Sequence, residues 1–214
     1  MRRVLLLILA TVGIGGSVAY AATLSVGSGH LWAGGQTLTK GTCTLQGTSS
    51  TTDTYIDENS PTTSFGGSTN LSVAPKTNKR QWALIRFDLS SCSIPTTGGA
   101  DSATLNLHIT TAPGSSQSLD VSTITSTWNG STTWNTVPST NAPFASITTG
   151  TTAPATKSVT VTADVDALIK NSSANYGWLI SEASQSGAPV TTLFGSSENG
   201  TTANQPQLVI NYEK

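Results

Sequence analysis

The chain has 214 residues, which is enough for one sizeable domain and too few for two. Charged residues make up 10% of it, and serine and threonine supply about three residues in ten, a composition typical of extracellular β proteins. The formal net charge of −1 gives no basis for nucleic acid or an anionic membrane surface as a partner.

The N-terminus has the pattern of a secretory signal peptide. Two arginines precede an apolar run over residues 4–12, and Ala19 and Ala21 are the small residues that a signal peptidase reads. We therefore expect residues 1–21 to be removed and the mature protein to be secreted or held at the cell surface, with no membrane segment. Retention of residues 4–22 as an anchor stays open, because about 19 residues can span a bilayer.

Residues 22–52 form a leader rich in glycine, serine and threonine, which either adds one or two strands or is loosely held. Cys43 and Cys92 are the two cysteines, and an even count in an exported chain predicts a disulfide. Two free thiols or a metal pair stay open as alternatives. A zinc site would need two more ligands, and His30 and His108 have no ligand spacing.

From residue 53 onward, short runs of alternating apolar residues recur between turn signals, which predicts β-strands. The longest run, residues 81–89, is the most apolar and is expected to be central and covered on both faces. Residues 163–170 have the spacing of a helix. The other predicted strands are residues 53–57, 71–73, 103–109, 119–124, 158–161, 178–180, 190–194 and 208–212.

These elements predict an all-β fold over residues 53–214, a two-sheet antiparallel β-sandwich that is jelly-roll-like and has one short helix. Trp128 and Trp134 lie in similar Thr-Trp-Asn triplets, six residues apart, and so share a face of an extended segment. Two interpretations stay open for them. They form an aromatic platform for a sugar ring, or they are apolar anchors that hold a long loop on the sandwich.

Seven segments together resemble the DNRLRE-type β-sandwich domain, in the order in which that family has them. They are DTYID (53–57), LIRFDL (84–89), SATL (102–105), TWN (133–135), NYG (175–177), GSSE (195–198) and QPQLVINY (205–212). The resemblance implies an extracellular jelly roll, found alone, in arrays or appended to polysaccharide-degrading enzymes. Some such domains are grouped as carbohydrate-binding modules of family 96, with affinity for the acidic polysaccharide alginate.

No catalytic motif accompanies these segments. The sequence has no Gly-x-Ser-x-Gly elbow, no zinc-binding His-Glu-x-x-His helix and no phosphate-binding loop. We therefore expect no enzyme but a secreted, non-catalytic carbohydrate-binding module for an acidic polysaccharide or a cell-surface glycan. The alternative is a structural or adhesive subunit of a surface layer, sheath or filament, which self-assembles through its edge strands.

The most suggestive cluster for binding is basic, because four of the eight cationic residues outside the signal segment lie within residues 76–86. Arg86 and Trp82 share one face of a predicted strand, and a guanidinium suits the carboxylates of an acidic glycan. Alternatively, Lys76, Lys79 and Arg80 solvate a turn and Arg86 pairs with a carboxylate such as Asp88. The candidate binding residues are Lys76, Lys79, Arg80, Trp82, Arg86 and, as secondary candidates, Tyr55 and His108.

No cofactor is predicted, although a structural calcium ion stays open because loops of β-sandwiches supply clustered oxygen ligands. Asp53, Asp57 and Glu58 are close in sequence. Asp164 and Asp166 bracket the start of the predicted helix, where capping explains them equally well.

Overall fold

The computed structural model describes residues 25–27, 30–32, 39–75, 79–96, 98–171, 175–183 and 190–213. The chain divides into two compact units, residues 1–38 and residues 39–214. In the first unit, strands β1 (Ser25–Gly27) and β2 (His30–Trp32) pair as a short antiparallel ribbon. The predicted signal peptide, residues 1–21, lies outside the described residues.

The second unit contains eleven described strands and one α-helix. The strands are β3 (Lys40–Gln46), β4 (Thr51–Asp57), β5 (Asn70–Val73), β6 (Gln81–Phe87), β7 (Ala100–Thr111), β8 (Ser118–Thr123), β9 (Ala145–Thr148), β10 (Ala155–Thr160), β11 (Trp178–Glu182), β12 (Thr192–Gly195) and β13 (Gln207–Glu213). The helix is α1 (Thr162–Lys170).

The strands form two antiparallel sheets. One sheet has the order β3-β13-β7-β12-β5, with β10 on the other edge of the long strand β7. The other has the order β4-β6-β11-β8-β9. This architecture confirms the predicted all-β, two-sheet antiparallel sandwich with one short helix. None of the helices in the described ranges combines the length and apolar character needed to cross a bilayer.

The main core lies between the sheets and is built by alternation along the strands. Leu105, Leu107 and Ile109 on β7 are fully buried, whereas the polar residues between them face outward, as the period of two requires. Ile85 and Phe87 of β6 contribute to the same core from the other sheet. Burying such side chains stabilises the fold by about 25 cal/mol per Å² of apolar surface.

Strand β6 is covered on both faces, as its continuous apolar run predicts. Its inward residues lie in the main core, and Leu84, which points the other way, is also fully buried in a second cluster with Ile56 and Trp128. A strand with one face in water would leave Leu84 exposed. The loop over residues 125–140 provides the outer cover.

The leader was predicted either to add one or two strands or to be loosely held, and the described residues place three strands in it, β1, β2 and β3; β9 was not predicted. Strand β3 pairs along its whole length with β13 and so belongs to the larger sheet. The disulfide between Cys43 of β3 and Cys92 confirms the predicted pairing, with Cα atoms 5.8 Å apart. The leader therefore contributes an edge strand, β3, and the disulfide ties this strand to the segment between β6 and β7.

Glu182 is a buried carboxyl group at the end of β11, opposite Leu119 of β8. Its burial, together with the charge of Asp120, raises the pKa of Glu182 from 4.5 to about 7. The folded state therefore binds a proton that the unfolded state releases, and the free energy of unfolding falls as pH rises from 4.5 to about 7.

Glu182→Gln is accordingly expected to match the wild type in stability near pH 4 and to exceed it at pH 8, because the amide has no charge to bury. Urea unfolding at the two pH values measures the difference. The exposed Asp101→Asn serves as the control and should change little at either pH. A Glu182→Gln protein that is less stable than the wild type at pH 8 would contradict this assignment.

Candidate functional site

Two loops cover the outer face of the five-stranded sheet. The loop over residues 125–140 meets the loop between β4 and β5 through hydrogen bonds from Ser64 Oγ to the Gly130 carbonyl, 3.1 Å, and from Asn135 N to the Pro61 carbonyl, 3.1 Å. The backbones approach so closely that a Cβ on Gly66 would overlap the Gly130 carbonyl. Only glycine fits at this contact.

Trp128 anchors the longer loop. Its ring is 6% exposed and packs with Ile56, Leu84 and Leu179 on the outer face of the sheet. Its indole Nε1 donates to the Tyr176 carbonyl at 2.6 Å, which satisfies the one polar atom of the buried ring. For Trp128, this placement supports the anchor interpretation over that of an open platform.

Trp134 lies beside Trp82 at the edge of the same cluster. The two ring centroids are 4.6 Å apart with an interplanar angle of 49°, and both rings are partly buried. The guanidinium of Arg80 lies 5.1 Å from the Trp134 centroid and 5.8 Å from that of Trp82. Trp82, one of the predicted binding residues, thus already packs against two side chains of its own chain.

The charge of Arg80 is also matched within the chain. Its Nε donates to Glu58 Oε2 at 3.1 Å, and a terminal nitrogen forms an ion pair with Glu58 Oε1 at 2.5 Å. The hydrogen bond to Glu58 is the main cause that raises the pKa of Arg80. The charge of this guanidinium is thus matched by a carboxylate of its own chain, which holds it in two contacts.

Arg86 is placed differently. It lies on the outward face of β6, and its guanidinium stacks 5.4 Å from the Trp128 centroid. The ion pairs among the described residues are those of Arg80 and Lys170, so Arg86 has no described carboxylate within 4.0 Å. Asp88, the partner that the alternative interpretation named, instead accepts a hydrogen bond from Ser90 N at 2.9 Å.

The positive charge of Arg86 nevertheless acts on the carboxylate of Asp88. Its pKa is lowered by the hydrogen bonds from Ser90 and, to a smaller degree, by Arg86. The described contact that positions the Arg86 side chain is the one with the ring of Trp128. Stacking on a ring restricts a flexible side chain and does not use its hydrogen-bond donors.

A cleft of about 330 Å³ opens beside Arg86. Its wall is the turn over residues 48–52, which is entirely serine and threonine, and Asn175 borders the opposite side. The turn is fixed by hydrogen bonds from Asp88 N to the Ser50 carbonyl, 2.8 Å, and from Thr51 N to the Gly47 carbonyl, 3.0 Å. The cleft thus combines the guanidinium of Arg86 with several hydroxyl groups, the carboxylate of Asp88 and an amide.

The structure brings only some of the predicted binding residues together. Arg80, Trp82 and Arg86 share the region around the outer face of β6, and Lys79 is exposed in the bend before that strand. Lys76 lies outside the described residues.

The two secondary candidates lie elsewhere. Tyr55 pairs with Ala83, so it is on the inward side of β4, where its ring stacks on Phe65 at 4.2 Å. His108 is on the outer face of the other sheet, with Nδ1 3.1 Å from Thr156 Oγ1. Neither side chain reaches the cleft at Arg86.

Three features of the cleft were missed in the sequence: the hydroxyl-rich turn, the ring of Trp128 under Arg86, and Asn175. The turn has a local signal, because residues 48–52, which lead into β4, are five consecutive serine and threonine residues. Asn175 Nδ2 donates to the Phe87 carbonyl at 2.7 Å and thereby joins a distant segment to β6. No local sequence pattern predicts a contact between residues that are 88 positions apart.

The carboxylates considered for calcium are engaged by different neighbours, beginning with Asp53, whose Oδ2 accepts from Ser197 N at 2.8 Å. Asp57 accepts from Gln81 Nε2 at 3.0 Å, and Glu58 is engaged by Arg80. Asp164 Oδ2 accepts from Trp178 Nε1 at 2.7 Å, and Asp166 forms an ion pair with Lys170 at 2.6 Å. In the described ranges, no three histidine, cysteine or acidic side chains cluster as metal ligands.

The described strands thus form a two-sheet β-sandwich with a polar cleft, lined largely by hydroxyl groups, beside Arg86. The sequence of residues 45–212 matches the family model of carbohydrate-binding module family 96, and the chain belongs to this family. None of the curated proteins compared with the chain matches it significantly. The match confirms the resemblance noted in the sequence and shows that the chain carries a carbohydrate-binding module.

Proposed function

We propose that this carbohydrate-binding module binds an acidic polysaccharide and that Arg86 is the residue that contacts a sugar carboxylate. The observation that carries the proposal is the state of Arg86, which is oriented on Trp128 but not paired with a described carboxylate, beside an open cleft. An arginine in this state retains both its charge and its planar set of donors for a ligand.

The rest of the cleft suits a glycan. The side chains of Thr48, Ser49 and Thr52 line it with hydroxyl groups that donate and accept hydrogen bonds, as sugar hydroxyls do. The cleft volume of about 330 Å³ lies within the range of about 300–1,000 Å³ that is typical of small-ligand sites. The cleft also holds the carboxylate of Asp88, which is turned to Ser90 N at 2.9 Å, so Arg86 is the group in the cleft that can meet the carboxylate of an acidic glycan.

Arg86→Ala is expected to weaken binding to a polyuronate such as alginate by roughly 10- to 100-fold, because a charge-assisted hydrogen bond contributes about 1.5–3 kcal/mol. Arg86→Lys should recover part of this loss, since it keeps the charge but not the two-donor geometry. Isothermal titration calorimetry with a defined oligouronate measures both variants.

Lys40→Ala is the matched control, because it removes an exposed positive charge from β3 in the other sheet. Its affinity should stay within about twofold of the wild type at physiological salt, where distant charges are screened beyond about 8 Å. Equal losses for Lys40→Ala and Arg86→Ala would indicate a diffuse charge effect and would refute a site at Arg86.

We propose as a second candidate a self-assembling subunit of a surface layer, sheath or filament, exported to a compartment where its disulfide persists. The observation that favours it is the free edge of β3, which pairs only with β13 among the described strands. A free edge strand is a template for pairing with another copy. Light scattering over rising concentration tests this candidate, and a strict monomer counts against it.

A further inference from the structure

The segment over residues 175–177, which leads into β11, borders a second cleft besides the one at Arg86. Asn175 lines the cleft at Arg86, and the next two residues, Tyr176 and Gly177, line a cleft of about 360 Å³ beside α1. Because consecutive Cα atoms are about 3.8 Å apart, the ends of this segment are no more than about 8 Å from each other. The two clefts are therefore adjacent.

Gly177 turns Tyr176 toward the face of the sheet that carries Arg86. In a regular strand, residues 176 and 178 would share a face. Trp178 lies in the main core, whereas Tyr176 packs against the outer cluster. The φ of Gly177 is +71°, and a Cβ at this position would overlap the Ile85 carbonyl, so glycine alone allows this turn.

Trp128 holds Arg86 and Tyr176 in place together. Its ring centroid lies 5.4 Å from the guanidinium carbon of Arg86, and its Nε1 donates to the Tyr176 carbonyl at 2.6 Å. Asn175 Nδ2 donates to the Phe87 carbonyl at 2.7 Å and fixes the start of the segment on β6. The two residues are thus positioned relative to each other before a ligand binds, which reduces the entropic cost of binding.

The side chain of Tyr176 is partly buried, but its hydroxyl group reaches solvent. The hydroxyl has no hydrogen bond to the described residues and is not one of their buried polar atoms without a partner. Apolar side chains, those of Ile124, Ala167 and Leu168, line the same cleft. An aromatic ring among apolar side chains suits the C–H face of a pyranose, and the hydroxyl can bond to its polar edge.

We propose that Tyr176 forms a second sugar subsite, which binds the unit next to the uronate that Arg86 holds. This inference rests on the proposed binding of an acidic polysaccharide at Arg86. One unit of the chain is then recognised by its carboxylate and its neighbour by its apolar ring face.

The second cleft also holds the carboxylate of Asp164. Its Oδ2 accepts hydrogen bonds from Thr123 Oγ1 and Trp178 Nε1, both at 2.7 Å. Because like charges repel, the sugar over Tyr176 must turn its own carboxylate toward solvent. Arg86 is therefore the group that reads the charge of the ligand, and Tyr176 reads the shape of the adjoining ring.

Isothermal titration calorimetry of the full-length protein with a methyl uronoside and with a hexauronide of the same sugar tests the inference. A site for one unit at Arg86 would favour the hexamer by at most about sixfold, which is the number of equivalent placements. The ring contact should contribute about 10-fold more, so the wild type should bind the hexamer roughly 50-fold more tightly.

Tyr176→Leu removes the ring but keeps an apolar side chain against the outer cluster. It should lower the hexamer affinity about 10-fold and change that of the methyl uronoside by less than about twofold. Tyr176→Phe keeps the ring and should stay within about threefold of the wild type for both ligands. Trp134→Ala is the matched control, because it removes another partly buried ring from the same cluster and should leave both affinities nearly unchanged.

A wild-type preference for the hexamer of about sixfold or less would overturn the second subsite. The same holds if Tyr176→Leu retains the full preference, and the wild-type comparison still decides the question if this variant does not fold. In either case, a loss of methyl uronoside binding in Arg86→Ala would leave the proposed function standing and refute only the subsite. A wild type that binds neither uronide would refute both.

Discussion

Replacing Cys43 and Cys92 together by serine is expected to lower the free energy of unfolding by about 4 kcal/mol. The two residues are 49 positions apart, and closing a loop of that size removes much of the conformational freedom of the unfolded chain. Without the bond, the edge strand β3 is still held by its hydrogen bonds to β13, by those of Gln46 to the segment before β13, and by the buried side chain of Leu45. Denaturant unfolding of the double variant and the wild type measures the loss.

Reduction of the wild type by dithiothreitol provides the control, because it breaks the same bond without changing the side-chain volume. Reduced wild type and double serine variant should unfold at similar denaturant concentrations. A loss below about 1 kcal/mol in both would mean that β3 adds little to the domain, contrary to its full pairing in the sheet.

The second large effect is expected from Trp128→Ala, which should destabilise the protein by about 3–5 kcal/mol. The substitution empties the centre of the outer cluster and removes the hydrogen bond to the Tyr176 carbonyl. It also removes the ring on which Arg86 rests, so glycan affinity should fall even at temperatures where the variant is folded. Thermal unfolding and calorimetric binding at low temperature separate the two effects.

Trp134→Ala is the comparison that distinguishes an anchor from a platform. Trp134 is only partly buried and is not in contact with Arg86, so its loss should cost less, about 1–2 kcal/mol, and should leave glycan affinity nearly unchanged. If Trp134→Ala instead removes binding while Trp128→Ala leaves stability intact, the aromatic-platform interpretation is right and the anchor interpretation is wrong.

The fold was largely predictable because its main elements have strong local signals. The alternation in β7, the continuous apolar run of β6 and the spacing in α1 each specify an element and the face that it buries. Strands β3 and β9 lack such signals. Their sequences are mostly threonine, serine and small residues, and they are held by pairing with neighbouring strands rather than by a strong apolar pattern of their own.

The site was predictable only in part, because its chemistry depends on contacts between distant segments. Period-two alternation correctly placed Trp82 and Arg86 on one face. It did not indicate that Glu58 pairs with Arg80 or that Trp128 packs on Arg86, 42 positions away in the chain. It also did not place Tyr55, because the face of β4 that meets the core follows from its register with β6.

The distinction between Arg80 and Arg86 illustrates the general difficulty. In the sequence both are arginines of one basic cluster, but a carboxylate neutralises the first and an aromatic ring holds the second. We therefore assign the proposed contact with a charged ligand to Arg86 and not to Arg80.

The most direct test is affinity electrophoresis of the wild-type protein through gels that contain a polyuronate or, in parallel, an uncharged polysaccharide. We predict retardation in the polyuronate gel alone, diminished by added salt because the contact is charge-assisted. Equal retardation by the uncharged polymer, or free migration through both gels, would contradict recognition of an acidic glycan by this module.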